Sequence, residues 1–224
     1  MSGERLLRLV VRKGVDVTGG VSAGTAYSFE SACPTCGTGA SQIGPLHLPR
    51  FKVPKADLFS TLDSEIIVTP KLAEHLRAAD VRSLGPVVGT DGHPLPFEQL
   101  LPQATLPRFG EETTGFVRER PCPVCGRDGY FGVPNVPLRL VYPSLPAELL
   151  DKDVLATFER FGNSRLRTPL RDSVFAAPVY VIGGRVADAL RAAGVRSAEV
   201  EPVRLEASAT PEAGTASAAS RAAR

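Results

Sequence analysis

The 224 residues carry 43% hydrophobic and 22% charged side chains with a formal net charge of +2, the profile of a globular chain long enough to bury its own core. So small a charge, with Lys and Arg interspersed among Asp and Glu, argues against a nucleic-acid or membrane-surface partner. No run of about 18 apolar residues exists to span a membrane as a helix, and the apolar stretch after Met1-Ser2-Gly3-Glu4-Arg5 is broken by Arg8, too short for a signal peptide, so a reducing cytoplasm is the expected compartment.

In chain order, Leu6 to Lys13 mixes Leu and Val with Arg and predicts a first strand, and Ala26 to Glu30 alternates apolar and polar residues as a second. The Gly and Pro content from Gly37 to Pro54 forbids a long helix there. Ile66-Ile67-Val68 predicts a buried strand. Thr69-Pro70 then offers an N-cap with Pro at the first helical position, Lys71 to Ala79 a short helix, and Val81 to Val88 an extended return. Pro and Gly from Gly85 to Leu106 predict a long irregular connection. Strands are expected over Thr114 to Arg120, at Tyr130-Phe131 and over Leu138 to Tyr142. Leu150, Val154, Phe158 and Phe161 fall at helical spacing within Ser144 to Phe161, which predicts a helix. Val179 to Ile182, a helix over Arg185 to Ala193 closed by Gly194, and Glu199 to Leu205 repeat the strand–helix–strand pattern. Residues 206–224, rich in Ala, Ser and Thr, lack the apolar content to fold and read as a disordered tail.

At an offset of 114, Lys71 to Ser83 and Arg185 to Ser197 agree at 8 of 13 positions. Each half also holds one cysteine turn ahead of its strand–helix–strand unit. The expected fold is therefore a single α+β domain over 1–205, built from two pseudo-repeated halves at about 1–110 and 111–205.

All four cysteines lie in two near-copies of one device, Cys33-Pro34-Thr35-Cys36-Gly37 and Cys122-Pro123-Val124-Cys125-Gly126. Two thiols two residues apart on a tight turn can aim both sulfurs at one ion, and Gly after the second ligand supplies the positive φ the turn needs. Two such turns supply the four soft ligands of a closed tetrahedral zinc site, so Cys33, Cys36, Cys122 and Cys125 are the candidate ligands of one structural zinc ion shared by the two halves. Competing readings are a redox dithiol, which would open a helix, structural disulfides, which would need an oxidising compartment, and two half-sites completed by His47, His75 or His93. The 85 residues between Cys36 and Cys122 far exceed the roughly 15–20 of a compact zinc ribbon.

No His-paired nucleophile, phosphate-cradling Gly loop or open metal position is visible, so the chain is not expected to be an enzyme. The doubled Cys-Pro-x-Cys-Gly, the stretch Asp172-Ser173-Val174-Phe175, and the ending from Val181 to Leu190 into Val200-Glu201-Pro202-Val203 resemble the double-CXXCG motif family of myxobacteria. The resemblance implies a zinc-binding immunity protein that neutralises a cognate protein toxin delivered between kin cells, with Cys33, Cys36, Cys122 and Cys125 as ligands and Gly37 and Gly126 as turn formers. The alternative is a zinc-ribbon protein that binds nucleic acid or serves transcription, which would require a basic stripe.

Overall fold

The computed structural model describes residues 6–206, and most of them that are regular are strands. In chain order these are β1 (Leu7–Val11), β2 (Tyr27–Ser28), β3 (Ser41–Gln42), β4 (Leu46–Leu48), β5 (Leu58–Ser60), β6 (Ile66–Val68), β7 (Leu84–Gly89) and β8 (Pro94–Leu100). There follow β9 (Ala104–Thr105), β10 (Phe116–Arg118), β11 (Tyr130–Gly132), β12 (Val141–Tyr142), β13 (Val154–Phe161), β14 (Ala177–Ile182), β15 (Ala198–Pro202) and β16 (Arg204–Leu205). Only three α-helices interrupt them, α1 (Pro70–Ala78), α2 (Ala147–Leu150) and α3 (Gly184–Ala192). The opening residues 1–5 and the expected tail from residue 207 onward lie outside the described residues.

Two five-stranded sheets carry the fold, in the orders β4-β7-β8-β6-β5 and β15-β1-β14-β13-β9. In each, three neighbouring pairs are antiparallel and one edge pair, β4 with β7 or β9 with β13, is parallel. Between the sheets α1 packs on α3. Leu72, Leu76, Val186 and Leu190 on the helices meet Leu9, Leu58, Ile66, Leu100, Val154 and Ile182 from both sheets in one buried cluster. Each such side chain contributes about 1.5–3 kcal/mol of burial. Separate clusters form elsewhere, Leu46, Phe59 and Ile67 within one sheet, and Leu155 and Val181 of the other together with Leu140 and Tyr142 at β12.

This architecture replaces the expected α+β body of two repeated halves. The protein is mostly β, and its helices do not join neighbouring strands. The antiparallel strand β8 separates β6 from β7, and β1, from the other end of the chain, separates β14 from β15. The zinc-knuckle-plus-unit halves are therefore interlocked rather than side by side. Two misread segments account for the shift in class. Ser144 to Phe161 forms one helical turn and then the eight-residue strand β13. The spacing of four from Leu150 through Val154 to Phe158 satisfies a strand as well as a helix, because four is also a multiple of the strand period of two, and only Phe161, three further on, departs from it. The extended return expected over Val81 to Val88 forms β7, but the Pro-rich stretch beyond it, expected as an irregular connection to Leu106, supplies β8 and β9, with a register shift in the β7–β8 pair between Pro86 and Val88.

Helix boundaries follow local chemistry. Pro70 is the first residue of α1, although Thr69 bonds Asp57 Oδ1 at 3.1 Å instead of capping the helix. Gly194, at φ +67°, ends α3 through its N–H to the Arg191 carbonyl at 3.0 Å.

Candidate metal centre

Each cysteine turn is the tip of a hairpin. β2 and β3 pair through Tyr27 with Gln42 and Ser28 with Ser41, holding residues 33–38 at their far end. β10 and β11 pair through Phe116 with Gly132 and Arg118 with Tyr130, and present residues 122–126. The two tips close in the same way. Gly37 N–H donates to the Cys33 carbonyl at 2.8 Å, and Gly126 N–H to the Cys122 carbonyl at 2.9 Å. Both glycines hold left-handed φ, +76° and +61°, which a Cβ would penalise.

The tips meet despite the 85 residues between them. Cys33 Sγ lies 3.9 Å from Cys122 Sγ and Cys36 Sγ 3.6 Å from Cys125 Sγ, and all four sulfurs fall within 4.8 Å of one another. A tetrahedron with metal–sulfur bonds of about 2.3 Å has sulfur–sulfur edges of about 3.8 Å. The observed spacings match such edges and are far too long for disulfides, whose bond is about 2.05 Å. Cys33, Cys36 and Cys122 are buried and Cys125 half-buried. The four cysteines thus form a cluster able to hold one metal ion. His47, on β4, His75, on α1, and His93, in the turn between β7 and β8, lie outside it.

As thiols the four are unequal. Burial raises the pKa of Cys33, but the backbone at Cys36 and Thr35, together with the thiols of Cys36 and Cys125, outweighs it and holds the group down to about 7. Burial pushes Cys36 up to about 12, with hydrogen bonding to Thr38 offsetting only part of it and the sulfurs of Cys125 and Cys122 adding to it; Cys125 is also raised, chiefly by burial. Cys33 ionises readily while Cys36 and Cys125 resist, chiefly because burial disfavours a thiolate. A divalent cation at their centre inverts that order by favouring every thiolate.

Residues beyond the cysteines fix the geometry. Buried Asp128 accepts the Cys122 N–H at Oδ1 (2.7 Å) and the Ser164 N–H at Oδ2 (2.8 Å), tying the second tip to the segment after β13. Cys36 Sγ meets Thr38 Oγ1 at 3.1 Å, and Thr38 Oγ1 donates to Ser164 Oγ at 2.9 Å, so Ser164 reaches both tips. Arg160 N–H donates to the Arg127 carbonyl, Gly129 N–H to the Gly162 carbonyl and Gly162 N–H to the Tyr130 carbonyl, which bind the second tip to β13 and the residue after it along the backbone. The first tip is held through side chains instead. Phe175 packs against Tyr27, Phe29 and Gly37. Asp128, two residues past the second motif, carries a weak sequence signal. Thr38 and Ser164 carry none, because only tertiary packing brings them to the sulfurs, and Phe175 stands out in the sequence only within the Asp172-Ser173-Val174-Phe175 stretch, which does not link it to the first tip.

No family model matches the chain, and no curated protein matches it either. Among the described residues no helix is long and apolar enough to cross a membrane.

Proposed function

We propose that this chain is a non-catalytic zinc-binding protein of the cytoplasm that neutralises a cognate bacterial protein toxin by direct binding. The observation that carries the metal reading is the convergence of four cysteine sulfurs, from two hairpin tips, at tetrahedral spacing. All-thiolate donor sets favour zinc among the abundant divalent ions, and a site closed by four protein ligands has no open position for a reacting water. Its role is then to fasten two distant hairpins and the surfaces they present. The toxin as partner rests on the resemblance of the doubled Cys-Pro-x-Cys-Gly and the ending from Val181 to Leu190 to the double-CXXCG motif family.

Co-expression tests the partner. A toxin encoded beside this chain's gene should cease to kill cells that also make the unsubstituted chain, and the two proteins should copurify. Killing that persists despite normal accumulation of the folded chain would refute the toxin reading and leave the metal reading standing.

A further inference from the structure

Next to the cysteine tips the two sheets enclose an open cavity of about 1040 Å³, at the upper end of the ~300–1,000 Å³ range of small-molecule sites. Its walls carry both signs of charge. Asp63 and Glu65, beside β6, share its lining with Arg127 and Arg160, from the second cysteine turn and β13. Ala156, Phe158 and Arg160 enter together because alternate residues of β13 share a face.

None of the ion pairs among the described residues involves these four charged side chains. Arg127 Nε is buried without a hydrogen-bond partner, and its guanidinium stacks 4.3 Å from the centre of the Phe158 ring. Burial, with repulsion from Arg127, lowers the Arg160 pKa to about 10 although buried Glu159 and Tyr180 act in the opposite direction, so this cation sits in a poorly hydrated place that its protein neighbours offset only in part. Glu65 accepts a hydrogen bond from Thr61, and Asp63 accepts the Gly20 N–H at 3.1 Å. Each carboxylate is anchored by one neighbour and retains lone pairs for another donor. Partly buried charges that share no ion pair in the lining of one cavity are costly unless something within completes their contacts.

We propose that the cavity binds a small zwitterion of the amino-acid or short-peptide class. Its carboxylate engages Arg127 and Arg160, its ammonium engages Glu65 and Asp63, and its apolar body lies against Phe158 and Tyr180. Gly37, Thr38 and Gly39 of the first cysteine turn also line this space. The metal centre therefore shapes one wall, and the site forms in the metal-loaded chain. This site is independent of the toxin reading.

Titration calorimetry on the metal-loaded full chain tests it with alanine, dialanine and trialanine, each also in N-acetylated and C-amidated form. At least one uncapped compound should bind, and either cap should weaken it about 10- to 100-fold, the loss of one charge-assisted contact. Arg160→Gln should bind more weakly and become indifferent to C-amidation, and Glu65→Gln should become indifferent to N-acetylation. The proposal falls if no uncapped compound binds at millimolar concentration, or if capping leaves affinity unchanged. The capping comparison on the unsubstituted chain decides the matter even if a substituted chain fails to fold.

Discussion

Gly37 and Gly126 occupy equivalent places in the two tips yet face different neighbours. A Cβ on Gly37 would lie 2.6 Å from Phe175 Cε1, against a packed ring, whereas one on Gly126 would meet only the guanidinium end of the long Arg118 side chain at 3.0 Å. Both substitutions incur the left-handed penalty of about 1–2 kcal/mol, and Gly37→Ala adds overpacking of roughly 1–3 kcal/mol. Denaturant unfolding of the metal-loaded proteins should therefore find Gly37→Ala clearly less stable than Gly126→Ala. Asp128→Ala strands two backbone N–H groups and should lower stability by about 2–4 kcal/mol in the same assay. Glu65 gives a pH signature. Burial raises its pKa to about 7 from 4.5, so the folded state holds its proton more tightly than the unfolded state does. The associated stability is complete below pH about 4.5 and is lost as pH rises through about 7, by roughly 3 kcal/mol. Melts of Glu65→Gln should gain on the parent across that window. Tighter metal binding at higher pH affects both proteins alike and cancels in the difference. A constant difference from pH 4 to 8 would contradict the buried-carboxylate account. At this scale the cysteines and their glycines were readable because ligand chemistry and positive φ are properties of single residues. Asp128 and Ser164 act through the groups that folding brings to them.

The two hairpins are anchored by different means, and this sets how each responds to loss of the ion. The β10–β11 tip shares backbone hydrogen bonds with β13, while the β2–β3 tip depends on Thr38, Phe175 and the sulfurs themselves. Chelation followed by hydrogen exchange should therefore deprotect residues 27–42 before residues 116–132. Simultaneous loss in both would show that the backbone anchorage is not what distinguishes them. Element identity was legible where local chemistry left one answer. Thr69-Pro70 starts α1 and Gly194 stops α3 whatever packs around them. It was not legible in 150–161, where Leu150, Val154 and Phe158 fit either period, and β-sheet neighbours chosen by the rest of the fold decided for the strand. The Pro residues of β8 misled in the same way, since its irregular pairing with β7 is revealed only by the partner strand.

Across the whole molecule, β1, the first described strand, lies between β14 and β15 from near the other end of the described chain, and the cysteine cluster joins residues 33–36 to 122–125. Interlocking of this kind is invisible to a reading that proceeds along the chain, because it depends on which distant strand completes each sheet. Structural zinc contributes on the order of 10–16 kcal/mol in small domains, comparable with the roughly 5–15 kcal/mol stability of a whole domain. Stripping the ion should abolish or greatly depress the cooperative thermal transition, and restoring zinc should recover it. The most direct test is the mass of the natively purified chain under non-denaturing conditions. One zinc ion per chain, lost in both Cys33→Ser and Cys122→Ser, is the expected result. No bound metal, two ions per chain, or full zinc retention in either variant would contradict a single ion held jointly by the two tips.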